Sequence, residues 1–186
     1  DMMLVHGPVS DFIRESCFGG RCMSNKNELY DIKGDIVDYD ACSLYPSAMH
    51  RLFIPTGEIF IMDKPTTYYL EHLMDEEQIE PTKEKFISHF IVQVNIKKIK
   101  EHLDFPLTCK RGVTNVYVDY EASTNNKDAV CWSATYTSIQ LEDLLKYQKI
   151  EFTDIKNEKD DYPATGIYWV GRKSTLLSEA IQHVYK

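Results

Sequence analysis

The 186 residues are 43% hydrophobic and 12% aromatic, enough for one sizeable core or one core with an inserted subdomain. No apolar run approaches the length of a membrane span and no signal-peptide pattern opens the chain, which predicts an intracellular protein without a membrane partner. A net charge of −8 argues against a free-standing duplex-DNA binder, which is normally basic. Five cysteines (Cys17, Cys22, Cys42, Cys109 and Cys131) are odd in number and contain no Cys-x-x-Cys pair, so reduced thiols are expected rather than a disulfide framework or a zinc site. The opening Asp1-Met2-Met3-Leu4 reads as a cut point or a remnant.

In chain order, Pro8 to Ser16 predicts a short helix ended by the Gly19-Gly20 turn. Ile36 to Asp40 reads as a strand, Ser43 to Leu52 as a helix and Pro55-Thr56-Gly57 as a turn. Glu58 to Met62 is a short strand, and Thr67 is the expected cap of an amphipathic helix through Tyr68, Tyr69, Leu70, Leu73 and Met74. Tyr68 and Tyr69 read as core or interface packing before base stacking. Phe86 to Ile99 holds the alternation Phe90, Val92, Val94, Ile96 around polar Gln93, Asn95 and Lys97, a half-buried strand. Val116 to Tyr120 and Ala129 to Tyr136 are strands around an Asn-rich tip.

Thr137 and Gln140 form a capping-box signature opening a helix through Leu141, Leu144 and Leu145. Ile150, Phe152 and Ile155 alternate until Asp154 shifts the register. Asn157 to Asp161 reads as a solvated turn before a metal site. Ile167 to Val170 is a last strand, and Ser174 opens a helix running to Lys186. Strands in hairpins with interspersed helices predict an α+β fold.

Asp40-Ala41-Cys42-Ser43-Leu44-Tyr45-Pro46-Ser47 follows the apolar pair Ile36-Val37 closely. A strand that ends on a carboxylate and turns at once into a helix can hold a divalent cation beside a phosphate. The helix N-terminus offers unpaired N–H groups and a positive dipole to the anion, and the carboxylate offers the hard oxygen that Mg²⁺ prefers. The bland alternative is an ordinary strand–helix junction with a buried tyrosine. Asp38 lies two residues earlier, on the same strand face, and reads as a hydrogen-bonded or surface carboxylate before a second metal-proximal acid.

The octapeptide resembles motif A of family B DNA polymerases, Asp-x-x-Ser-Leu-Tyr-Pro-Ser. At residue frequencies near ~5%, its six fixed positions recur by chance in roughly one chain of this length in 10⁵ to 10⁶. The resemblance implies that Asp40 is a catalytic residue and a ligand of Mg²⁺ or Mn²⁺. It implies that the stretch Ala41, Cys42, Ser43, Leu44 and Tyr45 binds the incoming dNTP, with Tyr45 excluding a 2′-hydroxyl. The implied chemistry is two-metal in-line displacement at the α-phosphate.

Ile13 to Arg21 is similar to the Arg-x-x-Tyr-x-Gly-Gly segment of protein-primed polymerases, with Cys17 where that motif has its aromatic and Phe18 beside it. The resemblance implies DNA contacts at Gly19, Gly20 and Arg21. Phe105 to Lys110 and Thr137 to Lys146 resemble parts of the insertion by which such enzymes grip the terminal protein that primes synthesis. Lys110 and Arg111, with Arg172 and Lys173, are candidate contacts to the nucleic-acid backbone.

The expected organisation is an antiparallel-rich palm portion at 1–57, a mixed α/β insertion at 58–161 and a return to the palm, strand then helix, at 162–186. The sequence contains no Lys-x-x-x-Asn-Ser-x-Tyr-Gly of the fingers and no Asp-Thr-Asp of motif C. The implied function is therefore a part of a DNA-directed DNA polymerase of a virus or mobile element, with template and primer DNA, dNTP, a terminal protein and the remainder of the polymerase chain as partners. Alone it is expected to be inactive. The alternative is a polymerase-derived, non-catalytic module that binds protein or DNA.

Overall fold

A computed structural model describes residues 6–18, 29, 31–51, 54–74, 86–101, 103, 106–107, 110–111, 117–118 and 132–184. Its centre is a twelve-residue strand, β3 (Ile87–Lys98). Strands β2 (Glu58–Ile61), β8 (Thr165–Val170), β3 and β6 (Trp132–Thr137) lie side by side in that order, and β7 (Glu151–Asp154) also pairs with β3. All these pairings are antiparallel. Along one edge of β3, β8 pairs with Ile87 to Gln93 and β7 with Val94 to Lys98. Between β7 and β8 the chain leaves the sheet in the turn closed by the Asn157–Tyr162 bridge. The fold is α+β, as expected.

The alternation along β3 divides the apolar residues between two faces. Phe90, Val92, Val94 and Ile96 are buried in the larger core. There they meet helix α3 (Thr66–His72) through Tyr69, and helix α4 (Ser138–Asp143) with its following π turn (Leu144–Gln148) through Leu141 and Leu144. On the opposite face Ile91, Ile167 and Trp169 are covered by Val9, Phe12 and Ile13 of helix α1 (Pro8–Glu15). Helix α1 fits its sequence signal, with Pro8 in its first turn, where the missing N–H costs nothing.

The capping box forms in full: Gln140 N–H donates to Thr137 Oγ1 at 3.3 Å and Thr137 N–H to Gln140 Oε1 at 2.8 Å. Gln140 Nε2 also donates to the Ser16 carbonyl at 3.4 Å, tying the end of α1 to this corner. Buried Gln148 accepts from the Leu107 N–H at 2.7 Å through Oε1, which fixes the 106–107 turn on the π turn.

Several expected boundaries move. Helix α3 begins at Thr66 with Pro65 as its N-cap, and Thr67 does not cap it. Thr66 is buried, and its N–H and hydroxyl both donate to the Asp154 carboxylate, so a distant acid satisfies this helix end. The helix stops at His72 because Leu73 turns extended and bridges Ile87, which leaves Met74 outside it. The expected helix from Thr137 is α4 followed by the π turn, ended by Lys149 in the left-handed region at φ 45°.

Ser174 belongs to strand β9 (Lys173–Ser174), and its hydroxyl accepts from the Leu176 N–H at 3.1 Å ahead of helix α5 (Leu176–Val184). Of the expected strand over 116–120, strand β5 (Tyr117–Val118) is described, paired with β4 (Lys110–Arg111). The Asn-rich tip at 121–128 and residues 185–186 lie outside the described residues.

The largest departure is Ile36 to Asp40, which is irregular and exposed rather than a strand. Tyr39 is 90% exposed, and no described strand runs beside it. β-Branched composition favours a strand only where a neighbour accepts the backbone hydrogen bonds. Without an enforced two-residue alternation, Asp38 and Asp40 are also not held on one face.

Gly166 in β8 sits where a side chain cannot. A Cβ there would lie 2.7 Å from the Ile91 carbonyl oxygen, and it would also strike the Met62 sulfur. Methionine can move aside, but the Ile91 carbonyl belongs to the central ladder. Gly166→Ala is therefore expected to destabilise the fold by about 2–3 kcal/mol in urea unfolding. A loss below about 0.5 kcal/mol would show that β8 does not press on β3 this closely.

Candidate functional site

Residues 40–45 end an exposed, irregular approach and open helix α2 (Leu44–Arg51). Cys42 and Ser43 make the turn. Ser43 has φ 52°, in the left-handed region that non-glycine residues rarely occupy. Its carbonyl accepts the first helical hydrogen bond, from Ser47 N–H at 2.9 Å, so Ser43 stands at the N-cap. Pro46 falls in the first turn, where its lack of an N–H leaves no helical bond unmade.

Asp40, Ala41, Cys42, Ser43, Leu44 and Tyr45 are all exposed, and Tyr45 is 76% exposed. The alternative of a junction built around a buried tyrosine is thereby set aside.

Helix α2 is held from the far end of the chain. Ser178 Oγ on α5 donates to the His50 carbonyl at 2.7 Å and lies 3.0 Å from His50 Nδ1, while Gln182 Nε2 lies 3.3 Å from His50 Nε2. Beside this helix pair, strand β1 (Ile54–Pro55) pairs with β9, and Thr56 N–H donates to the Arg172 carbonyl at 3.1 Å. The chains then pass into β2 and out of β8 at Gly57 (φ 101°), whose missing side chain leaves room for the Val170 carbonyl. His50, Ser178 and Gln182 carried no signal in the sequence. The four-residue spacing of Ser178 and Gln182 places both on one helix face, but nothing in the chain announces their partner.

The remaining candidates are dispersed. Gly19, Gly20 and Arg21 lie outside the described residues. The run-in to them is fixed: Thr135 Oγ1 donates to Glu15 Oε2 at 3.2 Å, and the Phe18 ring lies 5.8 Å from that of Tyr136. Phe18 is nonetheless 59% exposed, an aromatic face with a supporting ring behind it. Lys110 and Arg111 form the β4–β5 ribbon, and their side chains lie outside the described residues, as does that of Lys173.

Among the described residues no group of three or more His, Cys, Asp or Glu side chains converges. Asp40 is a single hard-oxygen ligand, and a pair of divalent cations needs several. The described residues therefore do not by themselves supply the ligands of a two-metal site. Among the described residues, no helix is long and apolar enough to cross a membrane.

Compared with known proteins, residues 1–161 match the family model described as DNA polymerase type B, organellar and viral. No curated protein and no solved structure matches the chain.

The left-handed Ser43 supplies a test of how the helix start is maintained. This conformation costs a non-glycine residue about 1–2 kcal/mol, and no described group hydrogen-bonds its hydroxyl. Ser43→Gly is expected to slow amide exchange over Ser47 to His50 by about two- to fivefold. Faster exchange would show that the serine hydroxyl holds the turn.

Proposed function

We propose, because the chain belongs to the organellar and viral type B DNA polymerases, that its exposed turn and helix start serve templated nucleotidyl transfer in DNA replication. The observation that carries this reading is the open presentation of the octapeptide. Asp40 precedes a helix N-terminus whose first residues, Leu44 and Tyr45, face solvent rather than the core. Free N–H groups at that end favour a triphosphate. Tyr45, fixed in the first turn, is the sugar discriminator, and Asp40 is one ligand for Mg²⁺ or Mn²⁺. The remaining carboxylates, and the cation that neutralises the triphosphate, come from polymerase segments other than these residues.

In this reading residues 1–57 and 162–186 contribute to the palm, and 58–161 form the insertion. The insertion and the 106–107 turn offer a surface to a priming terminal protein. Phe18 takes the stacking role at the Gly19-Gly20 segment in place of the aromatic that Cys17 replaces. The partners are template and primer DNA, dNTP and the remaining polymerase chain, in an intracellular compartment. The 186 residues alone are inactive, since they carry neither the Asp-Thr-Asp segment nor the Lys-x-x-x-Asn-Ser-x-Tyr-Gly segment.

A second reading, a non-catalytic module that binds protein or DNA, is favoured by one observation, the absence of a converging ligand set among the described residues. Asp40→Ala separates the two. A module with no use for this acid keeps its partner binding after the substitution.

The coding region on either side of these residues tests the first reading directly. In-frame Lys-x-x-x-Asn-Ser-x-Tyr-Gly and Asp-Thr-Asp segments, or a companion gene carrying them, are expected. A polypeptide that includes them should extend a primer, and Asp40→Ala should reduce extension by at least about a thousandfold. The 186 residues alone should give no product above the same Asp40→Ala control, and one templated turnover would refute their proposed inactivity. In the active polypeptide, Tyr45→Val should raise ribonucleotide use relative to deoxyribonucleotide about ten- to a hundredfold. Unchanged selectivity would remove Tyr45 from the sugar site.

A further inference from the structure

A cavity of about 330 Å³ opens between the end of β2, helix α3 and strand β8, away from the octapeptide. Its walls are Tyr68, Tyr69, Phe86 and Tyr168, and Asp63 and Lys64 stand among them. We propose that this cavity receives the guanidinium or ammonium head of an arginine or lysine side chain from a basic partner polypeptide.

The aromatic rings pack against one another along the cavity wall. Tyr69 and Tyr168 meet at 4.9 Å with their planes 46° apart, and Tyr68 and Tyr69 meet edge-on at 5.4 Å and 85°. Tyr168 also stacks on Phe60 at 5.5 Å, and Tyr68 stacks on His72 at 4.0 Å. Tyr69 is buried beneath them, so the cavity presents the partly exposed rings of Tyr68 and Tyr168, whose quadrupoles attract a compact cation.

The polar groups have the same preference. Asp63 Oδ1 accepts from the Tyr69 hydroxyl at 2.9 Å, and Tyr69 in turn accepts the Asp63 N–H at 3.0 Å. Burial first, and then the Asp63 carboxylate, hold the Tyr69 phenol far above its ordinary range, so it remains a neutral donor. That pair fixes one carboxylate oxygen. Among the described residues, Asp63 Oδ2 and the hydroxyls of Tyr68 and Tyr168 have no hydrogen-bond partner, and no described cation pairs with Asp63. A guanidinium or ammonium can donate to these solvent-facing oxygens. The net charge of −8 draws a basic polypeptide. Among the described residues Lys64 is the one cation lining the cavity, and it competes with such a head group.

The test is fluorescence anisotropy at low salt with the 186-residue chain and a labelled arginine tetrapeptide blocked at both ends. Asp63→Asn keeps an oxygen for the Tyr69 hydroxyl and removes the charge, and should weaken binding about five- to tenfold. Glu158→Gln, in the exposed turn on another part of the surface, removes the same charge and should change binding less than about twofold. Lys64→Ala, at an exposed position that leaves the fold intact, should tighten it. Equal losses from Asp63→Asn and Glu158→Gln would reduce the effect to net charge and overturn the proposal. So would weaker binding in Lys64→Ala. Displacement of the peptide by a short thymidine oligonucleotide, with loss of oligonucleotide binding in Lys64→Ala, would assign the cavity to nucleic acid instead. Should Asp63→Asn unfold, Lys64→Ala alone decides the sign.

Discussion

Strand β3 is the constraint on which the rest of the molecule depends. Its twelve residues pair with β8 and β7 along one edge, Ile91 to Ile96 pair with β6 along the other, and both faces meet a core. The larger face is filled by Phe90, Val92, Val94 and Ile96, so α3, α4 and the π turn have one surface on which to bury their apolar sides. The smaller face, around Ile91, fits only a short helix, which α1 supplies. A one-residue slip would exchange these two sets of side chains, and the core residues would meet the wrong helices. Gly166 enforces the alignment because β8 approaches the Ile91 carbonyl too closely for any side chain.

Most of this was legible in the sequence wherever the signal was local. The alternation from Phe90 to Ile96 and the Thr137–Gln140 capping box both form as expected, since each rests on residues a few positions apart. Tyr69 is a core residue, in line with the packing reading of the tyrosine pair. The failures share a cause: the deciding partner is distant. Thr66 rather than Thr67 lies at the helix start because Asp154 reaches it from β7. Ile36 to Asp40 has the composition of a strand but no described neighbour to pair with.

The octapeptide was likewise legible as chemistry and not as geometry. Its residue types announce a carboxylate before a helix N-terminus, and that arrangement is present. The left-handed Ser43 is not visible in the residue order, because serine offers no conformational reason to adopt it. Strain of this kind persists where surrounding structure holds it. Here the holding contacts are few, made through His50 and the β1–β9 pair.

Those contacts come from outside the stretch that identifies the family. The match to the organellar and viral type B DNA polymerases ends at residue 161, whereas β8, β9 and α5 follow it. Strand β8 nonetheless lies between β2 and β3, so the matched stretch does not close the sheet alone. Ser178 and Gln182 stand more than a hundred residues from the His50 they engage. The helix that carries Leu44 and Tyr45 is therefore positioned by side chains after the match. Because those contacts are polar and exposed, they set where α2 lies without burying Tyr45 or the turn before it. Orientation and accessibility at the octapeptide thus have separate sources: the first comes from the chain's last helix, the second from the lack of any described element packed over residues 40–45.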